Sequence, residues 1–263
     1  MAFTFGKRIV TDGLAFYVDA ANPISYNGTV TSWKDLTKSN LNGTLTNSPV
    51  FTSTSGSGII FDSASLQTFA FPNLNISTSA FTIDLWMKPA SYKGFVNNQG
   101  NGNAGGANWP GILSTTNIVD YTSTLGTPLG VAIGFYGSSA QLYYGAVCTG
   151  SFAIPRKIES INYTGSVCPN LTTSSIYNII LQRNTDTNHL EMYLDGVYLN
   201  KVYLPSDYWP SGSIPLRSSI RSISSTDSYY PNGTYYSIKI YKNKYLTQDE
   251  VTQNYNALKY KYS

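Results

Sequence analysis

The chain has 263 residues, 41% of them hydrophobic and only 12% charged, with a net charge of +3 at neutral pH. That allows a sizeable core under a surface of Asn, Ser, Thr, Gly and Tyr, since charged residues usually make up about a quarter of a chain. The bases are interspersed with acids and form no stripe that could track phosphates, so nucleic-acid binding is not expected. No run approaches the roughly 18 apolar residues of a membrane-spanning helix, so no membrane insertion is expected.

The start, MAFTFGKRIVTDG, has no apolar stretch followed by a small-residue cleavage site, and synthesis in a cytoplasm is the expectation. Residues 1–12 read as an N-terminal arm, with Ala2-Phe3-Thr4-Phe5 either a docking segment or an edge strand, and 13–263 as a single domain. Period-two alternation then dominates. Leu14, Phe16 and Val18 share one face, and in FTIDLWMK so do Phe81, Ile83, Leu85 and Met87, opposite Asp84 and Trp86. The stretch from Tyr92 to Asn117, with GNGNAGGANWPG inside it, is too polar for a strand, and long loops in compact domains are usually functional or disordered.

In LGVAIGFY, Leu129, Val131, Ile133 and Phe135 alternate again. The two cysteines, Cys148 and Cys168, are too sparse for a disulfide framework, and a single clip across the segment between them stays open. Six Asn-X-Ser/Thr sequons, beginning at Asn27, Asn42, Asn75, Asn162, Asn170 and Asn232, are read as products of composition. Ile176 to Arg183 is a strand buried on both sides, and LEMYLDGVYLNKVYL is a hairpin whose Asp195-Gly196 supplies the positive φ values of a type I′ turn. His189, the only histidine, reads as a solvated turn residue. Tyr235 to Tyr241 is a strand with Tyr236, Ile238 and Ile240 inward. Thr247-Gln248-Asp249-Glu250 is a capping box that opens a helix with Val251, Tyr255 and Leu258 on one face. Many short strands and one late helix predict an all-β antiparallel sandwich, a jelly roll with a short C-terminal helix.

Several motifs in order carry a resemblance: Asp19-Ala20, Asn22-Pro23-Ile24-Ser25-Tyr26, Trp33-Lys34-Asp35-Leu36 and Asn42-Gly43-Thr44-Leu45-Thr46-Asn47, then FTIDLWMKP, LEMYLDGVYLNK and IKIYKNKYLTQDEVTQNYNALKYKY. Together they resemble the laminin-G-like, concanavalin A-type jelly rolls of secreted proteins and phage structural proteins. The resemblance implies a non-enzymatic virion surface protein, a capsid decoration or a tail or fibre component, made in the host cytoplasm. Its partners would be other virion proteins and host-surface polysaccharide, and it would work as a homo-oligomer or part of an assembly. A carbohydrate-binding adhesin of a bacterial or viral surface is the alternative. Asp19 and Asn22 can hold a turn, and Trp33 and Leu36 can plug one end of the sandwich, or these residues can meet a ligand. Relatives usually carry Asp-Gly and an Asp-Tyr pair where this chain has Phe61-Asp62-Ser63-Ala64-Ser65-Leu66-Gln67. That departure weakens any inherited calcium site.

Catalytic chemistry is thin. A retaining glycosidase of this architecture needs two carboxylates about 5 Å apart, yet the three glutamates, Glu159, Glu191 and Glu250, are scattered and Asp84 is alone on its strand. Tyr236-Ser237-Ile238-Lys239-Ile240-Tyr241 is superficially like the closing strand of alginate-lyase-type enzymes, but the histidine and arginine strands of such enzymes are missing. No enzymatic activity and no cofactor are expected. Two cysteines and one histidine cannot make a four-ligand zinc site. Loop acids such as Asp207 and Asp227 leave room for a structural calcium, although no ligand string accompanies them. The remaining lead is aromatic, since sugars stack their C–H faces on rings while neighbouring polar groups bond the hydroxyls. The candidates are Tyr92, Trp109, Tyr208, Trp209, Tyr229 and Tyr230 in loops, and Trp86 beside Asp84, which either line a concave face or pack beneath a loop.

Overall fold

The computed structural model of the chain describes residues 8–28, 31–54, 56–74, 79–90, 111–114, 118–119, 128–135, 142–148, 171–203, 215–218, 220–222, 228–229 and 231–262. In chain order the strands are β1 (Leu14–Asp19), β2 (Ser32–Trp33), β3 (Gly43–Thr46), β4 (Val50–Thr52), β5 (Gly58–Phe61), β6 (Thr68–Asn73), β7 (Phe81–Pro89), β8 (Gly111–Ser114) and β9 (Ile118–Val119). There follow β10 (Pro128–Phe135), β11 (Leu142–Cys148), β12 (Tyr177–Asn184), β13 (His189–Leu194), β14 (Val197–Tyr203), β15 (Pro215–Arg217), β16 (Ile220–Ser222), β17 (Ser228–Tyr229), β18 (Gly233–Lys242) and the helix α1 (Gln248–Tyr262).

One eight-stranded sheet runs β14-β13-β12-β7-β18-β5-β4, with β1 pairing β18 beyond the end of β5. A seven-stranded sheet runs β11-β10-β8-β15-β6-β3-β2, and a small ribbon joins β17, β16 and β9. Antiparallel pairing of β7 and β18 from Phe81↔Lys242 to Gly233↔Pro89 is the spine of the larger sheet. The two main sheets meet face to face, as the expected antiparallel sandwich.

The core between them follows the alternation of the strands. Phe81, Ile83, Leu85 and Met87 of β7 point into it with Ile179 and Leu181 of β12, and Ile133 of β10 reaches it from the facing sheet. At its centre the ring pairs Phe16–Phe71, Phe61–Phe69, Phe69–Tyr235 and Trp33–Phe69 lie 4.6, 5.3, 5.2 and 6.1 Å apart, mostly edge to face, the favoured geometry for aromatic quadrupoles. Gly43 is obligatory here, because a Cβ at that position would stand 2.2 Å from the Phe71 ring.

β18 departs from the simple alternation. The pairing with β7 shifts register between Tyr235 and Ser237, so one extra residue is accommodated. A bulge re-aims the side chains around it. Tyr235, Ile238 and Ile240 enter the core, whereas Tyr236, expected inward, faces α1. His189 is likewise no turn residue: it opens β13, half-buried, with its ring 5.6 Å from that of Tyr203.

The termini of the described chain close the outer face of the larger sheet. The capping box forms as read: Glu250 N–H donates to Thr247 Oγ1 at 3.3 Å, and Thr247 N–H donates to Glu250 Oε2 at 2.9 Å. α1 then buries Val251, Asn254, Leu258 and Tyr262 against β7 and β18. Val10, in the segment read as the N-terminal arm, is buried with them. Among the described residues no helix is long and apolar enough to cross a membrane.

Candidate functional site

Asp84 and Trp86 lie on the face opposite the core stripe, as the alternation requires, but that face is not an open cleft. α1 covers it. Trp86 is buried, stacked in parallel on Tyr255 at 5.7 Å and tilted against Tyr262 at 5.2 Å. Asp84 and Lys239 form an ion pair at 3.1 Å with both side chains 0% exposed. Asn178 Nδ2 donates to Asp84 Oδ1 at 2.8 Å and Asn254 Nδ2 donates to Oδ2 at 3.1 Å. Asn254 also donates to Tyr241 Oη, whose hydroxyl donates to Val10 O, while Val10 N–H returns to Asn254 Oδ1 at 2.8 Å. The two residues therefore anchor a helix and are not placed to touch a sugar. Burial, together with the Asp84 charge, pushes the Tyr241 phenol far above its ordinary value, which keeps it a neutral donor.

The resemblance-bearing N-terminal block is also internal carpentry. The buried Asp35 carboxylate accepts from Tyr17 N–H, Thr37 N–H and Leu41 N–H at 3.0, 3.0 and 3.1 Å and from Thr37 Oγ1 at 2.8 Å, and Asn42 Oδ1 accepts from Asp35 N–H. Asp19 accepts from Ala21 N–H, Tyr17 Oη, Tyr262 Oη and Lys261. Trp33 sits in the core, the plug expected of it. Leu36 is only half-buried.

Tyr92, Trp109, Tyr208, Trp209 and Tyr230, the loop acids Asp207 and Asp227, and Cys168 fall outside the described residues, as do the side chains of Cys148 and Tyr229. Among the described residues no three His, Cys, Asp or Glu side chains gather as a metal site.

One cleft that sequence reasoning missed lies beside the β13–β14 turn. Asp195 and Gly196 adopt φ values of 51° and 80°, the type I′ pair read from the sequence. The turn swings back against the first half of α1, enclosing an open cleft of about 510 Å³ lined by Asp195, Val197, Tyr198, Gln248, Thr252, Tyr255 and Asn256. Gln248 Nε2 donates to Gly196 O at 2.8 Å and ties the two walls together. Gly196 permits that approach, since a Cβ there would meet Tyr255 at 3.1 Å. Asp195 Oδ1 accepts from Asn178 N–H at 2.8 Å. Burial raises the Asp195 carboxyl above its ordinary value, and the Asn178 bond opposes the rise. The only advance sign of this cleft was a pair of tyrosines, one beside a turn and one on a helix.

No known family pattern matches the chain, and no curated protein matches it. Solved structures do. Domain 4 of AbnA, a GH43 extracellular arabinanase from Geobacillus stearothermophilus, in complex with arabinotriose, aligns with a TM-score of 0.55 at 14% identity, over 92% of this chain and 97% of that one. The binding domain of botulinum neurotoxin serotype D/C aligns with a TM-score of 0.62 at 12% identity, over 94% and 53%. The botulinum neurotoxin DC binding domain in complex with SialylT gives 0.56 at 12%, over 95% and 52%. The fold is a concanavalin A-like, lectin-type sandwich. Identities this low carry the fold alone, and the chain spans about half the length of the botulinum domains.

Proposed function

We propose that the chain is a non-enzymatic glycan-recognition module exposed on a surface. The observation that carries the reading is the lectin-type sandwich itself, found also in an arabinanase domain in complex with arabinotriose and in a toxin binding domain in complex with SialylT. Among the described residues, the engagement of several acids supports the non-enzymatic reading. Asp84 is locked to Lys239, Asp35 and Asp19 hold backbone and side-chain donors, Glu191 accepts from Gln182 at 2.9 Å, and Glu250 is in the helix cap. The strand with superficial lyase likeness presents Tyr236, Lys239 and Tyr241 to the underside of α1, not to a substrate channel.

The decisive experiment is binding of the purified chain to a panel of bacterial-surface and plant polysaccharides, with calcium and with chelator, alongside an assay for new reducing or unsaturated ends. Saturable binding without cleavage is expected. No binding to any glycan would overturn the reading, and cleavage would overturn its non-enzymatic half.

The ordered motif run from Asp19 to Asn47 favours a narrower version, in which the module decorates a phage capsid or tail and packs against other virion proteins. Detection of the chain in purified particles by mass spectrometry tests it, and its absence from particles would remove that version while leaving glycan recognition intact.

A further inference from the structure

We infer that the cleft between the β13–β14 turn and the first half of α1 is a subsite for one neutral saccharide unit, an inference that rests on the glycan-recognition reading.

The volume, about 510 Å³, lies within the range of roughly 300–1,000 Å³ common for small-ligand sites. Its apolar contribution is placed for a sugar ring. Tyr198 is 40% exposed and Val197 64% exposed beside it, at the edge of the larger sheet where no further strand pairs with β14 among the described residues. The Tyr198 ring is steadied from behind by Tyr193, edge to face at 5.4 Å, so little freedom is lost when a ligand stacks on it. Tyr255 forms the opposite wall. One face is stacked on Trp86 and Lys259 Nζ lies 5.6 Å from its centroid, so it offers an edge and not a stacking platform.

The polar groups are placed for hydroxyls. The half-buried Asn256 side chain makes no hydrogen bond among the described residues, which leaves two donors and an acceptor available. Asp195 uses Oδ1 for Asn178 and has its second oxygen free of intramolecular partners among the described residues. Gln248 bonds the turn and Thr252 bonds Gln248, so the walls are braced before a ligand arrives. Among the described residues Asp195 is the only charged one in the lining, and Lys259, whose Nζ lies over the Tyr255 ring, is not part of it. A carboxylated or sulfated sugar would meet an unpaired carboxylate there, while a neutral sugar would give it hydroxyl donors.

The test is binding of the full chain to neutral oligosaccharides of arabinose, glucose, galactose and mannose and to sialylated and sulfated ones, repeated with Tyr198→Ala and Asn256→Ala. Saturable binding of a neutral sugar is expected, weakened about tenfold or more in each variant, in line with the loss of one stacked ring or one buried hydrogen bond. Unfolding midpoints check that the variants are folded. Should Tyr198→Ala fail to fold, Asn256→Ala decides alone, because its side chain bonds no other described residue. Neutral-sugar binding unchanged in the variants would overturn the cleft assignment and leave glycan recognition standing. Binding of anionic sugars only would overturn the neutral class. Absence of all binding by the unaltered chain would overturn both the subsite and the reading beneath it.

Discussion

Replacing Lys239 by Met isolates the charge at the centre of the covered sheet face. Met keeps the unbranched reach to Cε, with sulfur in place of Cδ, and removes the ammonium. Asp84 then remains at 0% exposure with two amide donors, Asn178 and Asn254, and no counter-charge. Breaking a buried pair by removing one partner costs about 3–5 kcal/mol, because the stranded charge has no water to replace the loss. At roughly 2–4 °C per kcal/mol for a domain of this size, Lys239→Met should lower the unfolding midpoint by about 6–20 °C. Adding Asp84→Asn removes the charge while an amide oxygen can still accept from Asn178, so the double variant should recover about 1–3 kcal/mol of the loss. Urea unfolding of the chain, the two single variants and the double variant, followed by tryptophan fluorescence, completes the cycle. A cost below about 1 kcal/mol for Lys239→Met would refute the reasoning, since that is the value of an exposed pair and would mean that water reaches Asp84.

Three further outcomes follow from the same geometry. Gly196→Ala places a Cβ at a φ of 80° and 3.1 Å from Tyr255, and should cost about 1–2 kcal/mol in chemical denaturation and red-shift tryptophan emission as Tyr255 is pushed off Trp86. Asp35→Ala leaves three backbone N–H groups without their acceptor while the Thr37 hydroxyl keeps Ala15 O at 3.1 Å, so a loss of about 2–4 kcal/mol is expected, with faster amide exchange at Tyr17, Thr37 and Leu41. Burial raises the Asp195 carboxyl from 3.8, so its protonated form favours the folded state; that contribution is full below 3.8 and is lost as pH rises through the folded value. Asp195→Asn keeps the acceptor for Asn178 without the charge, so it should be at least as stable as the unaltered chain near pH 7, with the difference shrinking by about pH 3 in thermal scans.

Much of the sandwich is legible in the sequence because one face of each strand is buried and the period is two. FTIDLWMK lands on the faces that alternation assigns it, the Ile176–Arg183 stretch is a strand buried on both sides as read, and Asp195-Gly196 and Thr247–Glu250 form the expected turn and cap. Tyr236 escapes because a bulge is a single-residue event without a pattern of its own. Asp84 and Trp86 escape for a different reason. Their face is correct, but whether a strand's second face is wet depends on an element 170 residues away in sequence at Asn254. A sign of that contact did exist. Asn254 stands in the stripe of Val251 and Leu258, and a polar residue in an apolar helix stripe must find a buried partner, which an aspartate on a facing strand supplies.

The same contact constrains where recognition can happen. The sheet face that carries Asp84 and Trp86 is sealed by two apolar clusters, Trp86, Tyr236, Leu258 and Tyr262 on one side and Val10, Ile180, Leu246 and Val251 on the other, with the charged pair dry between them. Opening it to admit a ligand would expose both clusters and unpair Asp84, a cost that the binding of one or two sugar rings cannot meet. Among the described residues, the surfaces left for the proposed glycan are the margin of α1 and the outer face of the other sheet, where Thr44 and Thr46 of β3 are exposed. The turn at Asp195-Gly196 lies on that margin. It is the place where the strand hairpin and the helix touch without merging, so aromatic and polar side chains stay exposed while their backbones are held rigid. A rigid scaffold under exposed hydrogen-bonding groups is what the proposed recognition of a heavily hydroxylated ligand requires, and the sealed face supplies the scaffold.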